Sequence, residues 1–255
     1  SNYERLSLNG TATANWLQLA AETAGTGGDN LNLALTPSGT GAISAQVPDS
    51  GTGGGNARGA NSVDWQKSRG AAAHVASAST STLSGGRNNT SSGVDGWIPG
   101  GNYGTTRGLI GAYAYANGRF AADGDAQVIG QVVRNATTNA TPTVLTADAG
   151  AAGATNIMVL PNTSVYGFTA KVWAISGSNA GYWEVRGTMY RGANAAATAL
   201  IGTTTVQAFG VSAALSTAVV NVIADTTNGG AVIQVTGIAA TNINWGGELS
   251  GGQGI

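Results

Sequence analysis

Three glycines of Leu83-Ser84-Gly85-Gly86-Arg87-Asn88-Asn89-Thr90-Ser91-Ser92-Gly93 return 15 residues later as Gly100, Gly101 and Gly108 of Ile98-Pro99-Gly100-Gly101-Asn102-Tyr103-Gly104-Thr105-Thr106-Arg107-Gly108. Paired glycines in a fixed register mark places where the backbone must take positive φ or pass close to another stretch of chain. A repeat this short is below the period of paired-helix solenoids, so it favours β coils: a short strand, a Gly-Gly corner, an Asn/Thr segment and another corner. Ile110-Gly111-Ala112-Tyr113-Ala114-Tyr115-Ala116-Asn117-Gly118 supplies a further unit. Ala, Leu, Ile and Val are expected to line a narrow interior. Two or three such units are too few to stand alone, and assembly with identical chains is the simplest repair.

Composition agrees. The chain holds 41 glycines in 255 residues, about 16% against a usual share near 7%, and a Gly-dense helical or α/β core would lose heavily in backbone entropy. Charged residues make up 9% and the net charge is −1, so a nucleic-acid groove is not expected. With no cysteine there is neither a disulfide framework nor a thiolate nucleophile. No run approaches the roughly 20 apolar residues that a membrane-spanning helix needs. The start, SNYERLSLNG, lacks an apolar signal segment, and Ser1 and Asn2 read as a boundary, so the chain is taken as a fragment.

The expected fold class is all-β: identical chains intertwined through a short-period β-coil region followed by an antiparallel β-sandwich, an arrangement that the resemblance given below makes an elongated homotrimer. Three domains follow. Residues 1–60 hold an apolar run from Trp16 to Glu22, a short strand Leu31–Leu35 closed by Pro37-Ser38-Gly39, a run around Ile43 and Ala45, and the glycine cluster of 49–60. Residues 61–126 hold the glycine-cornered coils, with 61–78 open between helix and mixed turns. Residues 127–255 carry eight strand signals separated by turn residues: Gln127–Val133, Ile157–Leu160, Thr169–Ile175, Tyr182–Arg191, Thr203–Phe209, Ala218–Ala224, Ala231–Ile238 and Ile243–Leu249. Alternation puts Trp183, Val185 and Met189 on one face and Glu184, Arg186, Thr188 and Tyr190 on the other. The strand at 169–175 is apolar on both faces, which suits a place between packed layers or at a subunit interface.

The inventory for chemistry is thin. His74 is the sole histidine and is read as structural, because a metal would need further ligands. Asp123 and Asp125 suit a turn cap better than a calcium loop. No serine sits in a nucleophile elbow, and Gly27-Gly28 and Gly53-Gly54-Gly55 lack the setting that cradles phosphate. Asp95 beside Trp97 and Glu184 beside Trp183 are the carboxylates that a glycoside-cleaving pair would draw on. No catalytic residue, metal or cofactor is expected. Binding candidates are Tyr103, Tyr113 and Tyr115, whose rings are too large for the coil interior, and Asn179, Tyr182 and Asn194 in or beside the loops Ser176–Tyr182 and Gly192–Thr198. For Tyr103, Tyr113 and Tyr115, sealing a seam between chains or covering the coil ends is the favoured role over binding, and Trp97, Trp173 and Trp245 share the two readings.

LSGGRNNTSSG, IPGGNYGTTRG and IGAYAYANG resemble the head repeats of trimeric autotransporter adhesins. The whole chain resembles the distal part of a bacteriophage tail fibre, through LNLALTPSGTGAI at 31–43, RGANSVDWQKSR at 58–69, VRNATTNATPTVLTADAG at 133–150 and ADTTNGGAVIQVTGIAATNINW at 224–245. Trp97-Ile98-Pro99 departs from the small polar residues usual before a corner. Neither a C-terminal membrane anchor nor a heptad stalk is recognisable, which places the phage resemblance ahead. It implies a homotrimeric virion component, joined to other tail proteins upstream, that contacts a host surface glycan or outer-membrane protein. For Gly85, Gly86, Gly93, Gly100, Gly101 and Gly108 it implies coil turning. The alternatives are a fragment of a bacterial trimeric adhesin and a polysaccharide-degrading tailspike.

Overall fold

The structure, a computed structural model, describes residues 34–255. The chain divides into two compact units, Ser1–Ser38 and Gly39–Ile255. Of the first, only Ala34–Ser38 is described, in no strand. The run at Trp16–Glu22 and most of the strand expected at Leu31–Leu35 lie outside the described residues.

The second unit is almost entirely β. It opens with five short strands, β1 (Ile43–Ser44), β2 (Val63–Asp64), β3 (Thr82–Leu83), β4 (Trp97–Ile98) and β5 (Tyr113–Ala116). They pair in parallel, each with the next, Ile43 opposite Val63, Val63 opposite Thr82, Thr82 opposite Trp97 and Trp97 opposite Tyr113. The 15-residue register of the sequence is the step from β3 to β4, and it recurs in bridges of Arg87 with Asn102, Thr90 with Thr105 and Asn102 with Asn117. Residues 61–78 contain β2 and turns but no helix, since Gly70, Ser62 and Ser68 interrupt the alanines.

Gly86 and Gly101 show what the repeat requires. Both have positive φ, 79° and 86°. A Cβ on Gly86 would strike the carbonyl oxygen of Gly101, and one on Gly101 would strike that of Ala116. Those same oxygens accept the N–H of Arg87 (3.0 Å) and of Asn102 (2.8 Å), so each corner is pressed against the next turn of chain. Gly93 and Gly108 share the offset but not the reason. At Gly93 a Cβ would meet the Leu109 carbonyl, whereas Gly108 has φ 77° with open space around it.

Between the parallel strands Leu83, Ile98, Leu109, Ala112 and Ala114 are buried, as the small-residue interior expected from sequence requires. The interior also holds amides that the sequence did not single out. Gln66 and Asn89 are fully buried. The Gln66 Oε1 accepts the Asn89 N–H at 2.8 Å, and the Asn89 Oδ1 accepts the Gly104 N–H at 2.8 Å. Gln127 does the same for Thr105, accepting its N–H and donating to its carbonyl. Each amide meets backbone groups that neighbouring strands leave unpaired, as burial demands.

The remaining strands are β6 (Ala126–Thr137), β7 (Pro142–Val144), β8 (Met158–Val159), β9 (Ser164–Ser176), β10 (Asn179–Arg191), β11 (Thr198–Val211), β12 (Val219–Asp225), β13 (Gly230–Thr236) and β14 (Ile243–Gly254). All eight strand signals of 127–255 coincide with strands, and β7 is additional. β5 pairs antiparallel with β6, so the sheet passes without a break from the parallel strands into the order β5-β6-β14-β9-β10-β11. A second sheet, β12-β13-β7 with β8 also on β13, lies on one side. Val222, Ile233 and Val235 share a core with Val172, Val185, Trp183, Trp245 and Leu249 of the long sheet. Two arginines fasten β8: Arg107 donates to the Val159 carbonyl (2.8 Å) and Arg191 to that of Leu160 (2.6 Å). Burial pushes the Arg107 guanidinium down to about 10, with the nearby Arg191 adding to the effect.

Candidate functional site

Because β6, β14, β9 and β10 cover only their inner faces with the second sheet, their other face is open. One row of register partners crosses the entire long sheet on that outer face: Ile43, Val63, Thr82, Trp97, Tyr113, Gly130, Ser250, Thr169, Arg186, Thr205. The next row toward the Tyr182 side aligns Val132, Glu248, Lys171, Glu184 and Gln207. The row on the opposite side aligns Tyr115, Val128, Gly252, Gly167, Thr188 and Ile201. Strict alternation of side chains along each strand produces these rows.

The polar groups of this face form two clusters on adjoining strands. The Tyr113 hydroxyl donates to Glu248 Oε1 at 2.5 Å, and Lys171 Nζ lies 3.3 Å from Glu248 Oε2. On the far side of Lys171, Glu184 accepts from the Tyr182 hydroxyl (3.1 Å) and from Arg186 (2.8 Å). The hydrogen bond from Tyr113 and the Lys171 ammonium hold the Glu248 carboxyl below its ordinary range, against the effect of burial. Arg186 does so for Glu184. Correspondingly burial, then the adjoining carboxylate, raises the phenols of Tyr113 and Tyr182. Apolar surface surrounds the clusters: Tyr115 is 50% exposed, Trp173 44% and Val128 51%. Ring atoms of Trp173 fill the space that a Cβ on Gly246 would occupy, and those of Tyr113 the space beside Gly130.

The structure therefore brings three of the six binding candidates, Tyr113, Tyr115 and Tyr182, onto one face. Tyr182 is a residue of β10 and not of a loop. Asn179 opens β10 beside the tight turn at Gly177, and Asn194 caps a 3-10 turn, Ala195–Ala197, by accepting the Ala197 N–H at 3.1 Å. Tyr103 belongs to a different cluster. The Arg119 guanidinium stacks 3.9 Å from its ring centre and His74 meets it edge-on at 6.0 Å. The His74 Nδ1 accepts the Ala71 N–H, so Nε2 carries the proton and donates to Asp123 at 2.9 Å, while Arg119 also pairs with Asp123. Both imidazole nitrogens are engaged, as in a structural histidine. Asp125 is a turn cap, accepting the N–H groups of Phe120, Ala121 and Ala122. Asp95 accepts the Thr80 hydroxyl, and Trp245 is buried with its indole on Thr137.

Glu248 and Lys171 were not singled out from sequence. Their signal is positional: Glu248 is the sole charged residue of β14 and Lys171 that of β9, both on the outward parity. Among the described residues no group of three or more His, Cys, Asp or Glu is placed to hold a metal ion, and no helix is long and apolar enough to cross a membrane.

No protein-family model matches the chain, and no curated protein matches it. Among solved structures it is similar to the tailspike protein gp49 from Acinetobacter baumannii bacteriophage Fri1, a capsular polysaccharide depolymerase, with 8% identity and a TM-score of 0.28. The similarity covers 67% of this chain, which spans about a third (32%) of that one.

Proposed function

We propose that this chain is a host-attachment module of a phage tail fibre, and that the outer face of its long sheet binds a host surface glycan. The observation that carries the proposal is two neighbouring polar clusters, Tyr113–Glu248–Lys171 and Tyr182–Glu184–Arg186, held beside exposed aromatic rings on a surface that no other part of the described chain covers. Rings offer flat apolar platforms, and ionised carboxylates offer several acceptor positions for hydroxyl groups. A rigid sheet holds both in place without ordering a loop. Identical chains assembled as a homotrimer would present the face three times, and avidity would multiply a weak single-site affinity.

A second reading, cleavage of the polysaccharide, is favoured by the placement of Glu184 and Glu248 on the two strands flanking Lys171. Two strand spacings, about 9.6 Å, fall near the separation of carboxyls in inverting glycosidases, roughly 6.5–9.5 Å. Such an enzyme needs one carboxyl raised to hold a proton. Here both are lowered, which suits binding. The test is adsorption of the purified chain to bacterial cells of candidate hosts, with competition by soluble surface polysaccharide. Saturable, competed adsorption without loss of polymer viscosity is the expected result. Loss of viscosity abolished by Glu248→Gln or Glu184→Gln would favour the second reading, and no saturable adsorption would end the first.

A further inference from the structure

Two arginines meet at β8, and in both the backbone occupies only one nitrogen. Arg107 Nη1 donates to the Val159 carbonyl at 2.8 Å, and Arg191 Nη1 to that of Leu160 at 2.6 Å, with the Asn228 and Gly229 oxygens at 3.4 and 3.1 Å. The Nε–H of each is buried and has no acceptor among the described residues. Arg107 Nη2 has only the Met158 sulfur, at 3.6 Å, a weak acceptor. Nε–H and Nη2 share one edge of the guanidinium, whose two parallel donors fit the paired oxygens of a carboxylate or phosphate. Charge is unbalanced at the same place. Arg58, Arg119 and Arg186 each pair with a carboxylate, whereas neither Arg107 nor Arg191 does so among the described residues. Burial, and after it Arg191, works against the Arg107 charge. The one acidic group acting on it is the Tyr166 phenol, which burial keeps protonated. Buried charges are ordinarily paired, and here two lie together without a counter-charge. Beside them is a cavity of about 270 Å³ lined by Arg107, Ala154, Val159, Leu160 and Pro161, in which Arg107 is the single charged wall.

We propose that this cavity is an oxyanion site, in which the Nε/Nη2 edge of Arg107 grips a carboxylate, sulfate or phosphate group and Arg191 supplies the second positive charge. The Val159 carbonyl already fixes Nη1, so the fork is oriented before a ligand arrives and little rotamer freedom is lost on binding. The volume lies just under the roughly 300–1,000 Å³ usual for small-molecule sites, which leaves room for the acidic group and about one sugar ring. Apolar walls with one placed polar group suit such a ligand. A neutral hydroxyl brings no charge to offset the two guanidinium groups, so neutral sugars are discriminated against. None of the lining residues belongs to the rows of the outer sheet face, and the site does not depend on that face binding a glycan.

The test is calorimetric titration of the full chain with sulfate, inorganic phosphate, galacturonate and, as the neutral counterpart, galactose, at an ionic strength held constant with chloride, alongside NMR of the arginine Nε–H signals. Saturable binding of at least one oxyanion, with a shift of the Arg107 signal and no binding of galactose, is expected. Arg107→Lys retains the charge and loses the fork, and should weaken binding at least about tenfold. Ala154→Leu fills the cavity from its exposed rim and leaves both arginines in place. It should weaken binding in the same direction with the melting temperature unchanged, and it keeps the test open should the lysine variant fail to fold. Galacturonate bound more tightly than either inorganic ion would place the oxyanion on a sugar, and the reverse would assign a free ion; both uphold the site. No saturable oxyanion binding, galactose bound as tightly as galacturonate, or oxyanion binding unmoved by both variants would overturn it, and the two arginines would then be clamps for β8 alone. Adsorption to host cells tests the outer face separately and is untouched by any of these results.

Discussion

Gly101 and Gly108 are both glycines at positive φ, yet they answer to different constraints. At Gly108 an alanine meets only backbone strain, of about 1–2 kcal/mol, because the space around it is open. At Gly101 the same strain is joined by collision with the Ala116 carbonyl, whose acceptor role for Asn102 fixes it in place. In urea denaturation, Gly108→Ala should therefore cost about 1–2 kcal/mol and Gly101→Ala clearly more. Tyr113 poses a different question. Its hydroxyl is the largest influence lowering the Glu248 carboxyl, so Tyr113→Phe should raise the Glu248 pKa toward the ordinary value of 4.5, as followed by carboxyl NMR titration. The sign for stability follows. A carboxyl whose folded pKa is depressed contributes stability above its unfolded pKa and loses it as pH falls through the folded value. Glu248 and Asp125, lowered by three N–H donors despite its burial, should thus make acid unfolding set in below about pH 4.5, and Tyr113→Phe should reduce the contribution of Glu248.

At the scale of elements, the antiparallel strands were legible because each alternates against a core on one side. Trp183, Val185 and Met189 are buried while Arg186 and Tyr190 face out, as parity alone indicates. Ala170, Val172 and Ala174 are likewise buried and Lys171, Trp173 and Ile175 exposed. β7 escaped notice since a three-residue strand beginning with Pro142 has no room to alternate. In the parallel region the glycine register was legible but the amides were not. Gln66, Asn89 and Gln127 read as surface residues by composition, and only the position of neighbouring strands shows that their side chains replace missing ladder bonds. Asn89→Ala should leave the buried Gly104 N–H without its acceptor and cost about 1–3 kcal/mol in chemical denaturation. A comparable change at Ser178, exposed at the tip of the hairpin between β9 and β10, should be near neutral.

On the scale of the whole molecule, the boundary read at residue 126 from the change in composition is crossed by a ladder of backbone bonds, Tyr113 to Ala116 pairing with Gln127 to Gly130. That pairing places the tyrosines of β5 in line with β14, β9 and β10, which sequence spacing could not show: Tyr113 and Glu248 are 135 residues apart and share a hydrogen bond. The candidate site was accordingly legible as residue types, tyrosines and a carboxylate, but not as one surface. The sequence-derived preference for the loops at 176–182 and 192–198 rests on the general habit of loops to carry specificity. The outer face instead draws its polar groups from strand interiors.

Oxidative footprinting of the full chain with and without a glycan that it binds discriminates these surfaces directly. Protection is expected at Tyr113, Tyr115, Trp173 and Tyr182, with Tyr103 and the segment around Asn194 unchanged. Protection confined to Tyr103 or to the 192–198 segment, with Tyr115 and Trp173 oxidised as fast as before, would contradict the assignment of the outer sheet face as the place where the ligand is held.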